Sequence, residues 1–193
     1  PVAVIAPFNF PLEIPILQVM GALFMGNKPI LKGDSKVALP LEEFVRLLLA
    51  CGMPKNDIVL IHSDGQSCEN LLLKVNPKVT LFTGSSKVAE RLTEKLKGKV
   101  HLEDAGLDWK ILGPEVHNED YVAHFCDHDS FALSGQKCSA QSLLFVHENW
   151  SKTKLYEKLV NLAKKRTYEN KLLSPILSWS NDNIRNHINK VLS

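Results

Sequence analysis

Four places along this chain hold residues whose types and neighbours can do chemistry. Cys138 stands in Ser134-Gly135-Gln136-Lys137-Cys138-Ser139, a glycine-containing loop with a cation at the preceding position. A loop thiol beside a lysine is the setting in which a nucleophilic thiolate forms. Cys51, Cys68 and Cys126 lie in helix-like apolar stretches and read as packing residues. Glu103 closes the run Val100-His101-Leu102-Glu103, and a carboxylate at a strand end can act as a general base. The plainer reading is a solvated charge. Asn9 sits between two prolines in Pro7-Phe8-Asn9-Phe10-Pro11, a rigid turn whose amide can donate to a developing oxyanion. The plainer reading is asparagine as a turn former. Phe82-Thr83-Gly84-Ser85-Ser86 offers a glycine for close approach and free N–H groups opening a helix, which suits a phosphate. A simple serine cap is the alternative, and no G-x-G-x-x-G fingerprint occurs. Three other features read as incidental. His124 and His128 share a helix face without the further ligands that a metal needs. Asn149-Trp150-Ser151 is a chance sequon, and Lys164-Lys165-Arg166 is a solvated helix face.

These groups need a scaffold, and the apolar pattern supplies one. Short runs at Val2–Ala6, Pro29–Lys32, Ile58–His62, Val79–Phe82 and Val100–Glu103 read as strands. Between them, Leu12–Met25, Leu41–Ala50, Cys68–Val75 and Ser85–Leu96 read as helices, with Pro15 tolerable only in a first turn. Five strands alternating with helices predict an α/β fold with a doubly wound five-stranded parallel sheet. Asn9, Gly84 and Glu103 then fall at its C-terminal edge, where such sheets bind ligands. After Asp108 the pattern changes to a helix at Asp120–Leu133, a strand at Leu143–Val146, a basic helix at Lys152–Arg166 and a helix at Asp182–Leu192. The expected organisation is a nucleotide-binding domain over 1–106 and the beginning of a second, catalytic α/β domain over 107–193.

Composition narrows the partners. A net charge of +2 from 23 Lys+Arg and 21 Asp+Glu gives no field for a nucleic acid or a membrane surface. The four cysteines form no CxxC pair, so free thiols in a reducing compartment are expected. No apolar run approaches the ~20 residues of a spanning helix. Pro1 opens directly into a strand-like run, which reads as a piece of a longer protein with any targeting peptide upstream. Apolar surface left uncovered by a missing remainder is expected, with poor solubility.

Taken in order, Pro7-Phe8-Asn9-Phe10-Pro11, Gly26-Asn27, Lys32, Phe82-Thr83-Gly84-Ser85, Leu102-Glu103 and Gly135-Gln136-Lys137-Cys138 resemble the aldehyde dehydrogenase superfamily over essentially the whole chain. The stretches from Ala6 to Pro15, Leu102 to Lys110 and Ser134 to Ser151 are most similar to its plant-type pyrroline-5-carboxylate dehydrogenases. The resemblance implies Cys138 as nucleophile and Glu103 as general base. It implies Asn9 as an oxyanion donor together with the Cys138 N–H. It places Lys32 on the adenosine ribose, Gly84 and Ser85 on the pyrophosphate, and Phe8 and Ser35 among the cofactor contacts. Ser35 stands where the family usually carries the acid that holds the ribose hydroxyls, so NAD is the implied cofactor with NADP left open. Ala89 and Ala105 replace family glycines, and the family's downstream Glu-x-Phe-Gly-Pro motif is absent from the chain. The implied substrate is a small-molecule aldehyde, glutamate γ-semialdehyde, oxidised in proline catabolism. The implied parent is a homo-oligomer of the mitochondrial matrix or the cytoplasm. Two alternatives stand beside this: a dehydrogenase of another aldehyde, and an inert fragment that retains only nucleotide binding.

Overall fold

Val2-Ala3-Val4-Ile5 has no polar side chain, and three of its four residues are buried. A strand covered on both faces belongs at the centre of a parallel sheet, and β1 (Val2–Ile5) lies there in the computed structural model, which describes residues 1–193. The chain divides into two compact units, Pro1–Ala105 and Gly106–Ser193.

In the first unit, β2 (Pro29–Lys32), β3 (Val59–Ile61), β4 (Val79–Gly84) and β5 (Val100–Asp104) join β1 in the order β3-β2-β1-β4-β5, every pair parallel. Side-chain alternation along β1 divides the core in two. Val2 and Val4 pack with Val19 and Ala22 of α1 (Glu13–Phe24) and with Leu41 and Val45 of α2 (Ala38–Ala50). Ala3 points the other way, into a cluster with Cys68 and Leu72 of α3 (Gly65–Val75) and Ala89 and Leu92 of α4 (Ser86–Lys95). Helices therefore cover both faces, as a doubly wound sheet requires. Leu72 is only 1% exposed, and cutting such a side chain to alanine costs about 2–5 kcal/mol.

Local signals set the helix ends. Pro15 falls in the first turn of α1, where its missing N–H is no loss. The helix stops where the Gly26 and Asn27 amides fold back onto the Leu23 and Ala22 carbonyls, both at 2.9 Å. Asp64 caps α3 by accepting from the Ser67 amide at 2.8 Å.

In the second unit, β6 (Asp108–Leu112) pairs in parallel with β7 (Gln141–Val146). Helix α5 (Glu119–Phe131) and α6 (Leu155–Lys164) pack around Ala123, Trp150 and Leu155. The Trp150 indole donates to the Gly113 carbonyl at 2.8 Å. Helix α7 (Asn181–Leu192) buries no residue.

Strand β6 was not among the expected elements. Its pattern is inverted: Trp109 and Ile111 face outward, and Lys110 turns inward to reach Asp129 at 2.5 Å. Arg166 corrects a second expectation. It is no solvated helix residue, since α6 ends at Lys164 and the Arg166 guanidinium pairs with the buried Asp127. Desolvation alone would make Asp127 unfavourable there, and the charge-assisted pair offsets it. Lys164 and Lys165 remain exposed. Cys68 and Cys126 are buried, and burial pushes both thiols up; Cys51 is exposed.

Candidate active site

The strand order reverses direction between β1 and β4. Loops leaving the C-terminal ends of these two neighbours run apart, and the gap between them is where a doubly wound sheet takes its ligand. A cavity of ≈ 280 Å³ opens at that edge. Its lining includes Pro7 and Phe8 after β1, Lys32, Asp34 and Ser35 after β2, Ser63 after β3, and Val88 and Arg91 of α4. Ser35 and Ser63 also border a wider, more open groove of ≈ 860 Å³ that runs toward Glu42 and His62.

Three of the sequence-derived residues line this cavity. The Phe8 ring lies 5.3 Å from the Lys36 ammonium. Lys32 ends β2 beside Ile5, and its ammonium donates to the Gly33 carbonyl at 2.9 Å. Ser35 opens a short 3-10 turn that Asp34 caps by accepting from the Lys36 amide at 2.9 Å.

The others lie at the same sheet edge outside the cavity lining. Gly84 ends β4, and a Cβ there would come within 2.7 Å of the Phe82 ring folded against it, so any other residue would have to push that ring aside. Ser85 is the first-turn cap residue of α4. Its carbonyl accepts from the Val88 and Ala89 amides at 3.0 Å, and its hydroxyl makes no cap bond. Asn9 is half-buried in the bend after β1. Glu103 is exposed on β5, in register with Thr83.

Sequence reasoning passed over several cavity residues. Ser63 follows β3 at the ligand edge, and its hydroxyl is buried with no partner in the protein. Asp34 and Arg91 bring charge to the lining. Position after a strand could have flagged Ser63, whereas Arg91 sits one helix turn inside α4, where sequence gives no such signal.

Cys138 belongs to the second unit. It is half-buried on a turn closed by the Ala140 amide donating to the Lys137 carbonyl at 3.2 Å. Just before it, Leu133, Ser134 and Gly135 all adopt left-handed backbone, with φ of 53°, 55° and 74°. Glycine does this freely, while the other two each cost about 1–3 kcal/mol and persist only because their surroundings hold them.

A parallel sheet in this order, with its cavity at the reversal, defines a doubly wound α/β protein; a second unit carries a half-buried cysteine beside a strained loop. The chain belongs to the aldehyde dehydrogenase family, which it matches over residues 1–184. It is 56% identical over 192 residues to the mitochondrial delta-1-pyrroline-5-carboxylate dehydrogenase 12A1 of Arabidopsis thaliana, covering 100% of this chain and 34% of that protein. It is 31% identical over 178 residues to the 1-pyrroline-5-carboxylate dehydrogenase of Bacillus subtilis, covering 86% of this chain and 34% of that one. Among solved structures it resembles an NAD-dependent aldehyde dehydrogenase from Sinorhizobium meliloti, with TM-score 0.80, 26% identity and coverage of 85% and 33%. It also resembles the proline utilization A protein of Bradyrhizobium japonicum, with TM-score 0.84, 27% identity and coverage of 98% and 20%. The chain spans about a third of the length of the curated relatives it matches.

Proposed function

We propose that this chain is the nucleotide-binding and nucleophile-bearing part of an NAD-dependent dehydrogenase that oxidises a small aldehyde to its acid. Glutamate γ-semialdehyde, the open form of pyrroline-5-carboxylate, is the proposed substrate, and the mitochondrion the proposed compartment. The family and the names of the relatives support the class and the substrate. The observation that carries the reading is the cavity at the β1/β4 reversal, with its unpartnered Ser63 hydroxyl beside Lys32.

That donor set fits a dinucleotide. We assign Lys32 and Ser63, both in the cavity lining, to ribose hydroxyls, and the backbone N–H groups at the start of α4, after Gly84 and Ser85, to a pyrophosphate. Charge favours NAD over NADP. Asp64 borders the cavity, Asp34 there is offset by Lys36 at 3.4 Å, and Arg91 is taken up by the buried Glu69, so the lining offers no spare guanidinium to a 2′-phosphate. When bound, the nicotinamide supplies the hydride acceptor.

The remaining steps follow the roles that the family resemblance gives to this chain's own residues. The Cys138 sulfur adds to the aldehyde carbon. The Asn9 amide and the Cys138 N–H donate to the resulting oxyanion, and one such donor is worth about 3–4 kcal/mol in comparable acyl-transfer sites. Oxidation leaves a thioester on Cys138. Glu103 takes a proton from the water that hydrolyses it and frees the acid.

Calorimetric titration of NAD⁺ and NADP⁺ into the chain, after a cooperative melt, tests the cavity. Binding of NAD⁺ with little or none of NADP⁺ is expected. A cooperatively melting chain that binds neither overturns the nucleotide reading. In the full-length protein Cys138→Ala abolishes aldehyde oxidation; retained turnover overturns the mechanism.

A further inference from the structure

Gln136 lies two residues before Cys138, and no step above uses it. Its carboxamide is nonetheless fully engaged. Nε2 donates to the Leu133 carbonyl at 3.1 Å and to the Pro175 carbonyl at 2.8 Å. Oε1 accepts from the Leu177 amide at 2.8 Å and from the Ser178 amide at 3.3 Å. Two donors and two acceptor positions are all that a glutamine side chain has. A second clasp lies two residues earlier. The Ser134 hydroxyl donates to the Ser174 carbonyl at 3.0 Å and accepts from the Ser174 amide at 2.8 Å.

Five of these six bonds bind the loop before the cysteine to a stretch about forty residues downstream that has no helix or strand of its own, and the sixth, to Leu133, closes the loop on itself. They also fall on the strained backbone. Ser134 is itself left-handed, and the Leu133 carbonyl that Gln136 grips belongs to the other left-handed residue with a side chain. Left-handed conformations of such residues persist only where the surroundings over-determine them, and here the surroundings are this clasp.

We propose that Gln136 is the positioning residue of the Cys138 thiol. By holding the 133–136 loop to the 174–178 stretch, its carboxamide fixes where the following turn presents the sulfur. The inference rests on the reading of Cys138 as the nucleophile, but its test does not pass through nucleotide or aldehyde. Loss of nucleotide binding would sink the proposed function and leave the clasp standing, and the converse also holds.

The experiment uses the chain with Cys51→Ser, which removes the exposed thiol. Alkylation of Cys138 by iodoacetamide and by the bulkier Ellman reagent is followed by peptide mass mapping across pH, together with amide exchange at Leu177 and Ser178. Buried Cys126 reports the integrity of the second unit. In Gln136→Met, the Leu177 and Ser178 amides lose protection and Cys138 alkylation rises roughly three- to tenfold, the weight of a hydrogen bond or two. Discrimination between the two reagents narrows, and Cys126 stays silent. Gln136→Glu gives a readout that a general loosening would not. Its carboxyl faces two carbonyls and its single O–H can meet one of them, so the variant stays nearer the parent in acid and departs further from it as the carboxylate ionises. Unchanged Cys138 rates in both variants, with Leu177 and Ser178 opened, overturn the proposal. So does Cys126 reacting in step with Cys138 in both, because Gln136 would then hold the unit together rather than place the thiol.

Discussion

Arg91 Nε lies 2.9 Å from a Glu69 carboxylate that is only 1% exposed, and Lys95 closes the other oxygen at 2.8 Å. Both cations come from α4 and the acid from α3, so the pair ties together the two helices on one face of the sheet. Glu69→Ala removes the acid and leaves two cations that can still reach water. The expected loss is about 1–3 kcal/mol in denaturant unfolding, below that of a fully buried pair. The Lys95 hydrogen bond, and then Arg91, hold the Glu69 carboxyl below its ordinary range against the opposing pull of burial. A lowered folded value contributes stability above the unfolded one, and that contribution disappears as pH falls through the folded value. The parent chain therefore loses stability below the ordinary glutamate value of 4.5, and Glu69→Ala flattens that acid limb. Parallel acid limbs in the two chains would contradict this account.

Ser63 separates binding from folding. Its buried hydroxyl has no partner, so Ser63→Ala removes no bond from the protein and should shift stability by under about 0.5 kcal/mol, in either direction. The same change should weaken NAD⁺ binding by roughly three- to tenfold in calorimetry, because a ligand hydroxyl loses its partner. A large fall in thermal stability with unchanged affinity would reassign Ser63 to the core.

Leu133 is 41% exposed and left-handed. Leu133→Gly gives up little buried area and relieves a backbone penalty. Its expected effect is stabilisation of the second unit by about 1 kcal/mol, read as a raised Tm. A lowered Tm would mean that the leucine side chain contributes more than its exposure suggests.

The outer face of the β6/β7 pair carries Trp109 and Ile111 in register with Leu143 and Phe145, all four exposed. Contiguous apolar area of this kind drives association. Ile111→Lys should lower the self-associated fraction in sedimentation at matched concentration and reduce binding of a hydrophobic dye, with the melt little changed. Equal association in both chains would place the sticky surface elsewhere.

Much of the first unit was legible because its strands obey the rule that two-sided burial makes short continuous apolar runs. Pro29–Lys32 coincides with the expected strand, and Glu13–Phe24 falls one residue inside the expected helix at each end. The helix with Cys68 began three residues earlier than its apolar residues suggest, because Asp64 caps a polar first turn. Strand β6 was hidden by the same logic run backward: Lys110 faces in because Asp129 meets it there, so the apolar residues point to water. Arg166 misled for a similar reason, as only the fold brings Asp127 within its reach. At the candidate site, Phe8, Lys32 and Ser35 came from the family resemblance rather than from local pattern, and all three line the cavity. Arg91 and the Gln136 clasp depend on contacts between distant segments, and no local pattern encodes them.

The central position of β1 bears on synthesis. Its neighbours in the sheet are β2, whose register begins at Pro29, and β4, which begins at Val79. Of the five strands of this sheet β1 comes first along the chain, and it is the one whose full pairing waits longest, until nearly eighty residues have followed it. Until then an apolar strand with open edges must be shielded, by α1 folding back on it or by a chaperone. Ribosome-bound chains stopped between β3 and β4 should therefore be more chaperone-dependent and protease-sensitive than chains stopped just after β4.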